Sequence, residues 1–163
     1  MEYEHEISVY FHFIGMGLLV TMAVAGMILE RNYRKAATLQ DKGLILGILK
    51  QIGILSPFAI LLLLVTGIGN MHSLAIGLFT FGWLTAKIMF FAIAAVSGIT
   101  FGITARKRAN LVGKMIGGQA PANAQELLKG YNKQVLLFHV VLDLLFFIIL
   151  ALAVYGRHGG GQG

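Results

Sequence analysis

The chain of 163 residues contains no cysteine. That absence removes disulfides, thiolate-bound metals, iron–sulfur ligation, covalently attached c-type haem and thiol redox chemistry together. Proline occurs twice, as Pro57 and Pro121, so few positions can interrupt a helix. Charge is scarce: 12% of the residues are charged, about half of what a globular domain carries. No P-loop, dinucleotide-binding glycine fingerprint or internal repeat is present.

The chain has instead long stretches without charge. Residues 7–29 are 23 in a row, residues 51–69 are 19 more with an apolar lead-in across Lys50, and 81–104 and 134–155 hold one charge each, Lys87 and Asp143. A hydrocarbon core of about 30 Å takes roughly 20 helical residues. The sequence thus predicts an all-α integral membrane protein, a four-transmembrane-helix bundle with spans near 7–29, 47–69, 81–104 and 134–155. The whole chain reads as one membrane domain, its main partner the lipid bilayer.

Basic residues orient the bundle. Of thirteen Lys and Arg, five (Arg31, Arg34, Lys35, Lys42, Lys50) flank or occupy 30–46 and six (Arg106, Lys107, Arg108, Lys114, Lys129, Lys133) occupy 105–133, while 70–80 carries no charge. Positive loops stay in the cytoplasm. The loops 30–46 and 105–133 are therefore expected inside, and both termini on the outer, periplasmic side of a bacterial cytoplasmic membrane. The net charge of +6 is this orientation signal and calls for no nucleic acid. Glu2, Glu4 and Glu6 before the first run argue against a cleaved signal peptide. The glycine-rich tail 157–163 reads as disordered.

Further structure is expected from small residues and prolines. Ala94, Gly98 and Gly102 recur every four residues, and Gly15, Gly17, Ala23 and Gly26 thin the first span. Such stripes let helices approach closely, within the bundle or in a homo-oligomer. Pro57 should kink the second span. In the third loop, 106–115 reads as a basic extension of the third span, and 122–129 as a short interfacial helix after Pro121.

Chemistry must come from the few polar groups at membrane depth, since a central Lys or Asp costs about 2.5–3.5 kcal/mol. His12 and Lys87 lie five and six residues in from the outer face, at one level. Thr66, Met71 and His72 close the second span near that level. His139 and Asp143 form a second, inner pair one turn apart on the fourth span. His12 suits an axial ligand for haem b, His72 a second ligand, and Lys87 a partner for a propionate or substrate carboxylate. The bland readings stand beside these. Lys87 can snorkel outward beside Trp83, His12 can hydrogen-bond a neighbouring helix, and Asp143 can be clasped by His139 or Lys50. His5, between two glutamates, and His158, in the tail, carry no signal. Met16 and Met71 with His12 and His72 would suit copper(I), although methionines in an apolar chain also serve simple packing.

Three segments carry a family likeness: Tyr10-Phe11-His12-Phe13-Ile14-Gly15, the pair Thr66-Gly67, and Gly82-Trp83-Leu84-Thr85-Ala86-Lys87-Ile88, with Tyr131-Asn132-Lys133 as a fainter echo. They resemble the small four-span membrane proteins grouped around the HemJ-type protoporphyrinogen oxidases and the CopD-type copper-resistance membrane domain. The resemblance implies bound haem b with the first-span histidine and third-span lysine as the functional pair, here His12 and Lys87. It implies an oxidoreductase acting on a porphyrinogen and passing electrons to quinone or a respiratory complex. A non-catalytic subunit of a larger complex, or a copper-handling protein, is the alternative.

Overall fold

The protein's structure, a computed structural model, describes residues 2–73, 77 and 82–158. Among them all regular structure is helical: α1 (Glu2–Lys35), α2 (Leu39–Gly53), α3 (Leu55–Ser73), α4 (Gly82–Ile116) and α5 (Ala124–His158). Since α2 and α3 are nearly continuous, four rods result, each long and apolar enough to cross a membrane. The part of the expected tail beyond residue 158 lies outside the described residues.

The break between α2 and α3 falls at Ile54, one turn before Pro57. A proline has no amide hydrogen, and its ring crowds the carbonyl four residues back, here that of Gly53. The regular ladder stops there, and the Ile54 amide turns to Gln51 O at 3.3 Å. The helix is interrupted at this point, upstream of Pro57 by the reach of the lost hydrogen bond.

The segments between the expected spans, 30–46 and 105–133, are mostly helix: 106–115 extends the third span as the sequence suggests, while the helix over 30–35 and 39–46 goes beyond the sequence reading. Charged residues mark where an apolar run ends, but Arg, Lys, Gln and Glu are good helix formers and the helices run on through them. α1 continues to Lys35. α2 starts at a cap in which Thr38 Oγ1 accepts from the Asp41 amide at 3.1 Å and donates to the Asp41 carboxylate at 2.7 Å. α4 continues through 106–115 and stops where Gly118 takes φ +69°. There the Gln119 amide donates to Lys114 O at 2.9 Å and the Gly118 amide to Met115 O at 3.4 Å, the Schellman pattern. The short helix expected at 122–129 is not separate: from Ala124 it is the start of α5, because no proline follows Pro121.

In packing, α1 lies along α3 and α4 along α5, while α2 bridges to α4 and α1. At position 15 a Cβ would sit 2.9 Å from Leu63 Cγ, so only glycine lets α1 approach α3 this closely. Gly156 on α5 similarly lies under the Trp83 ring of α4. Gly98 and Gly102 have no neighbour that a Cβ would meet within 4 Å, so that stripe does not serve packing within the chain.

The buried apolar cluster Tyr33, Leu46, Leu111, Val112, Ala124 and Leu128 sits at one end of the molecule, where the basic residues are. We call this the basic end. Along the rest of the rods large apolar side chains such as Phe13, Phe58, Leu61, Val96 and Phe147 point outward, a surface compatible with lipid.

Candidate functional site

The α1–α3 seam places the first polar group. Ser8, His12 and Gly15 recur at steps of four and three along α1 and face Ala59, Leu63 and Thr66 on α3. His12 Nδ1 lies 2.9 Å from Thr66 Oγ1. The threonine's single hydroxyl proton is directed to Leu62 O at 2.6 Å. With that proton on Leu62 O, Thr66 Oγ1 is free to accept from His12, which assigns the ring proton to Nδ1. Nε2 is left with its lone pair, the form in which imidazole acts as ligand or base. Ser8 Oγ donates to Thr66 O at 3.1 Å and ties the seam on the other side. Gly67 leaves the Cε1 edge of the ring uncrowded: a Cβ there would lie 3.8 Å away.

Lys87, from α4, is an electrostatic neighbour of His12. The sequence expects both at one depth, and the charge of Lys87 is close enough to act on the His12 ring. Among the described residues Lys87 enters no ion pair. Its ammonium is half-buried and has no fixed anion beside it. His72 is exposed in the last turn of α3 and makes no hydrogen bond among the described residues. Nor, among these residues, do three His, Asp or Glu side chains gather in one place as a metal cage would require.

The inner pair differs from the clasp considered for it. His139 packs edge-on against Phe101 of α4, with ring centroids 4.9 Å apart. On its other side it meets Gly26 of α1, where a Cβ would stand 3.4 Å from Cε1. Asp143 is within electrostatic reach of His139, but neither His139 nor Lys50 forms an ion pair with it among the described residues. The ring thus packs against Phe101 and Gly26 and forms no ion pair with the carboxylate among the described residues.

The strongest polar contact was not anticipated. Glu30 on α1 and Arg108 on α4, 5% and 1% exposed, form a bidentate pair with Nη1–Oε1 at 3.1 Å and Nη2–Oε2 at 2.8 Å. The Arg108 guanidinium also stands 4.4 Å from the centre of the Tyr33 ring, and Arg34 Nε donates to Glu30 at 3.3 Å. In the sequence Arg108 is one of six basic residues in a charged segment, and nothing in it alone sets it apart. A signal exists on α1: the buried positions Gly15 and Gly26 continue by four and three to Glu30 and Tyr33, so the glutamate falls on the packing stripe.

No known protein family matches the chain, and no curated protein or solved structure is similar to it.

Proposed function

We propose that the protein is a four-span membrane protein with its basic end in the cytoplasm, and that His12 and Lys87 form a haem-b-binding redox site in the outer half of the bundle. The observation that carries this reading is the hydrogen bond of His12 to Thr66, which holds the ring by Nδ1 and leaves Nε2 as an electron-pair donor.

The donor chemistry fits a haem iron. Metal-ligating histidines commonly donate their other ring N–H to a fixed acceptor, which sets tautomer and ring orientation, and Thr66 does this here. A haem b would supply one-electron redox chemistry at the level of His12. Lys87, half-buried without a carboxylate partner, offers its ammonium to an anion, a propionate or a substrate carboxylate. Thr66 is a positioning residue. His72 is not required as a second ligand. With the HemJ-like arrangement of His12, Thr66-Gly67 and Lys87, the substrate class is a porphyrinogen-type reductant, and the acceptor a quinone or a respiratory-complex subunit.

The topology rests on the same physics. α4 has 35 residues, roughly 52 Å at about 1.5 Å each, against a hydrocarbon core of about 30 Å. The excess projects as a water-facing head. That head carries the basic residues and the buried apolar cluster, as expected where water rather than lipid drives packing.

The reading is tested by a reduced-minus-oxidised spectrum of protein purified from haem-replete membranes, with haem quantified per chain. Stoichiometric b-type haem that disappears in a folded His12→Ala variant is the expected result. A colourless, folded wild-type protein returns the non-catalytic subunit or copper reading. Lys87→Met should keep haem and lose turnover with a porphyrinogen. Because the chain has no cysteine, Tyr3→Cys and Gln119→Cys report orientation without background. Impermeant maleimide should label the first in intact cells and the second only after permeabilisation; the reverse pattern inverts the topology.

A further inference from the structure

His12 is bracketed along α1. One turn toward the basic end, Gly15 brings the helix against α3, where a Cβ would stand 2.9 Å from Leu63 Cγ and 3.5 Å from the Ala59 carbonyl oxygen. One turn the other way, Ser8 donates to the Thr66 carbonyl oxygen at 3.1 Å. Two hydrogen bonds across this seam thus end on one residue: Ser8 holds the carbonyl oxygen of Thr66, and His12 holds its hydroxyl oxygen.

Thr66 itself is fixed. It is 7% exposed, and its hydroxyl proton is committed to Leu62 O at 2.6 Å on its own helix, which sets the side-chain torsion. What is left to fix is α1. Within a bilayer, packing and interhelical hydrogen bonds hold helices together, since the exclusion of water no longer does so. A single hydrogen bond lets α1 turn about it; a second, one turn away on the same residue, does not. The direction of the His12 N–H is sensitive to such a turn, because a hydrogen bond weakens steeply once its angle falls below about 120°.

Position 69 belongs to this arrangement. A Cβ at Gly69 would stand 3.1 Å from Ser8 Oγ but 4.0 Å from Ser8 Cβ. The missing Cβ therefore makes room for the serine oxygen and not for the carbon that carries it. An alanine at 69 is at ordinary contact distance from an alanine at 8. Against a serine it presses on the hydroxyl, whose way out is to rotate to another staggered position, away from Thr66 O.

We propose that Ser8 and Gly69 are positioning residues for His12. Gly69 gives the Ser8 hydroxyl its place, Ser8 fixes α1 against the Thr66 backbone, and the His12 Nδ1–H is thereby kept on Thr66 Oγ1. Nε2 then presents its lone pair in one direction. The inference rests on the haem reading only for the identity of what Nε2 holds; the orientation of the ring does not depend on it. Loss of a partner that orients a ligating histidine typically costs about 10–100-fold in metal affinity. Ser8 acts one contact further out, and its removal should cost several-fold.

The test uses the full-length protein in detergent micelles with ¹⁵N-labelled histidine and no added haem, at about pH 8, where an ordinary histidine is neutral. The His12 signals are assigned by their loss in His12→Gln. The wild type should show a proton fixed on Nδ1, and Ser8→Ala and Gly69→Ala should each show a mixture of the two tautomers. The double variant should match Ser8→Ala alone, because the methyl group at 69 no longer has an oxygen to displace. Gly69→Ala adds one methyl group and deletes nothing, so it reads the serine hydroxyl even where Ser8→Ala fails to fold. A wild-type nitrogen pattern in Ser8→Ala, whatever its melting temperature, reduces Ser8 to a structural contact and overturns the proposal. So does a Gly69→Ala effect that adds in full to that of Ser8→Ala. Added haem then separates the two readings. Ser8→Ala should release bound haem several-fold faster than the wild type. A wild type that binds no haem removes the haem reading, and the nitrogen pattern still decides the role of Ser8.

Discussion

Glu30 and Arg108 join the two halves of the molecule by paired hydrogen bonds at 2.8 and 3.1 Å, with almost no access to solvent. Removing one member leaves the other charge buried, at a cost of about 3–5 kcal/mol, whereas removing both costs far less. Glu30→Gln and Arg108→Leu should each lower thermal stability in detergent steeply, and Glu30→Leu with Arg108→Leu should recover most of the loss. Additive losses in the double variant would show that the pair contributes no coupling.

Thr66 should control the protonation pattern of His12. Thr66→Val removes the acceptor while keeping the shape, and Thr66→Ser keeps it. In protein with ¹⁵N-labelled histidine, His12 should show a proton fixed on Nδ1 in the wild type and Thr66→Ser, and a mixture in Thr66→Val. Identical nitrogen shifts in all three would remove Thr66 from its positioning role.

The α1–α3 seam makes a steric prediction. Gly15→Val forces side-chain atoms into the space of Leu63 and should cost about 1–3 kcal/mol, partly restored by Leu63→Ala. Gly17, two residues on, meets nothing within 4 Å, and Gly17→Ala should be within about 0.5 kcal/mol of neutral. A thermal-stability series in detergent reads all of these. Equal costs at the two glycines would refute the close approach.

Pro57→Ala should let the Gly53 carbonyl regain a helical donor and fuse α2 with α3. Spin labels at Leu44 and Ile68, both exposed, should move apart toward the roughly 36 Å expected for 24 residues of straight helix. An unchanged distance would assign the break to packing instead of the proline.

These cases also show where sequence reasoning reached and where it stopped. The four rods were legible because absence of charge over some 20 residues is a strong, local signal, and the nearness of His12 to Thr66 followed from counting residues along the rods. The inner ends of α1 and α2 were not, because charge at Arg34 or Lys42 reports the surroundings of a helix and not its hydrogen bonding. The break at Ile54 was offset for a similar reason: proline acts on the carbonyl of another residue. Arg108 was hidden among chemically identical neighbours, and only the helical phase running from Gly26 to Glu30 and Tyr33 pointed toward it. On paper His139 pairs with Asp143, one turn away, yet its ring packs against Phe101 and Gly26, which are apolar and distant in sequence.

The position of the Glu30–Arg108 pair has a mechanical consequence. It fastens the rods near one end, as the rivet fastens a pair of tongs, while His12 and Lys87 are carried near the opposite tips, on different arms. From Glu30 to His12 is 18 residues of α1, a lever of about 27 Å. A relative rotation of only about 5° at the rivet changes the separation of the tips by roughly 2 Å over that lever, while Tyr33 beside it hardly moves. The spacing of His12 and Lys87 is thus sensitive to the angle between the arms, and through it to how firmly Glu30 holds Arg108.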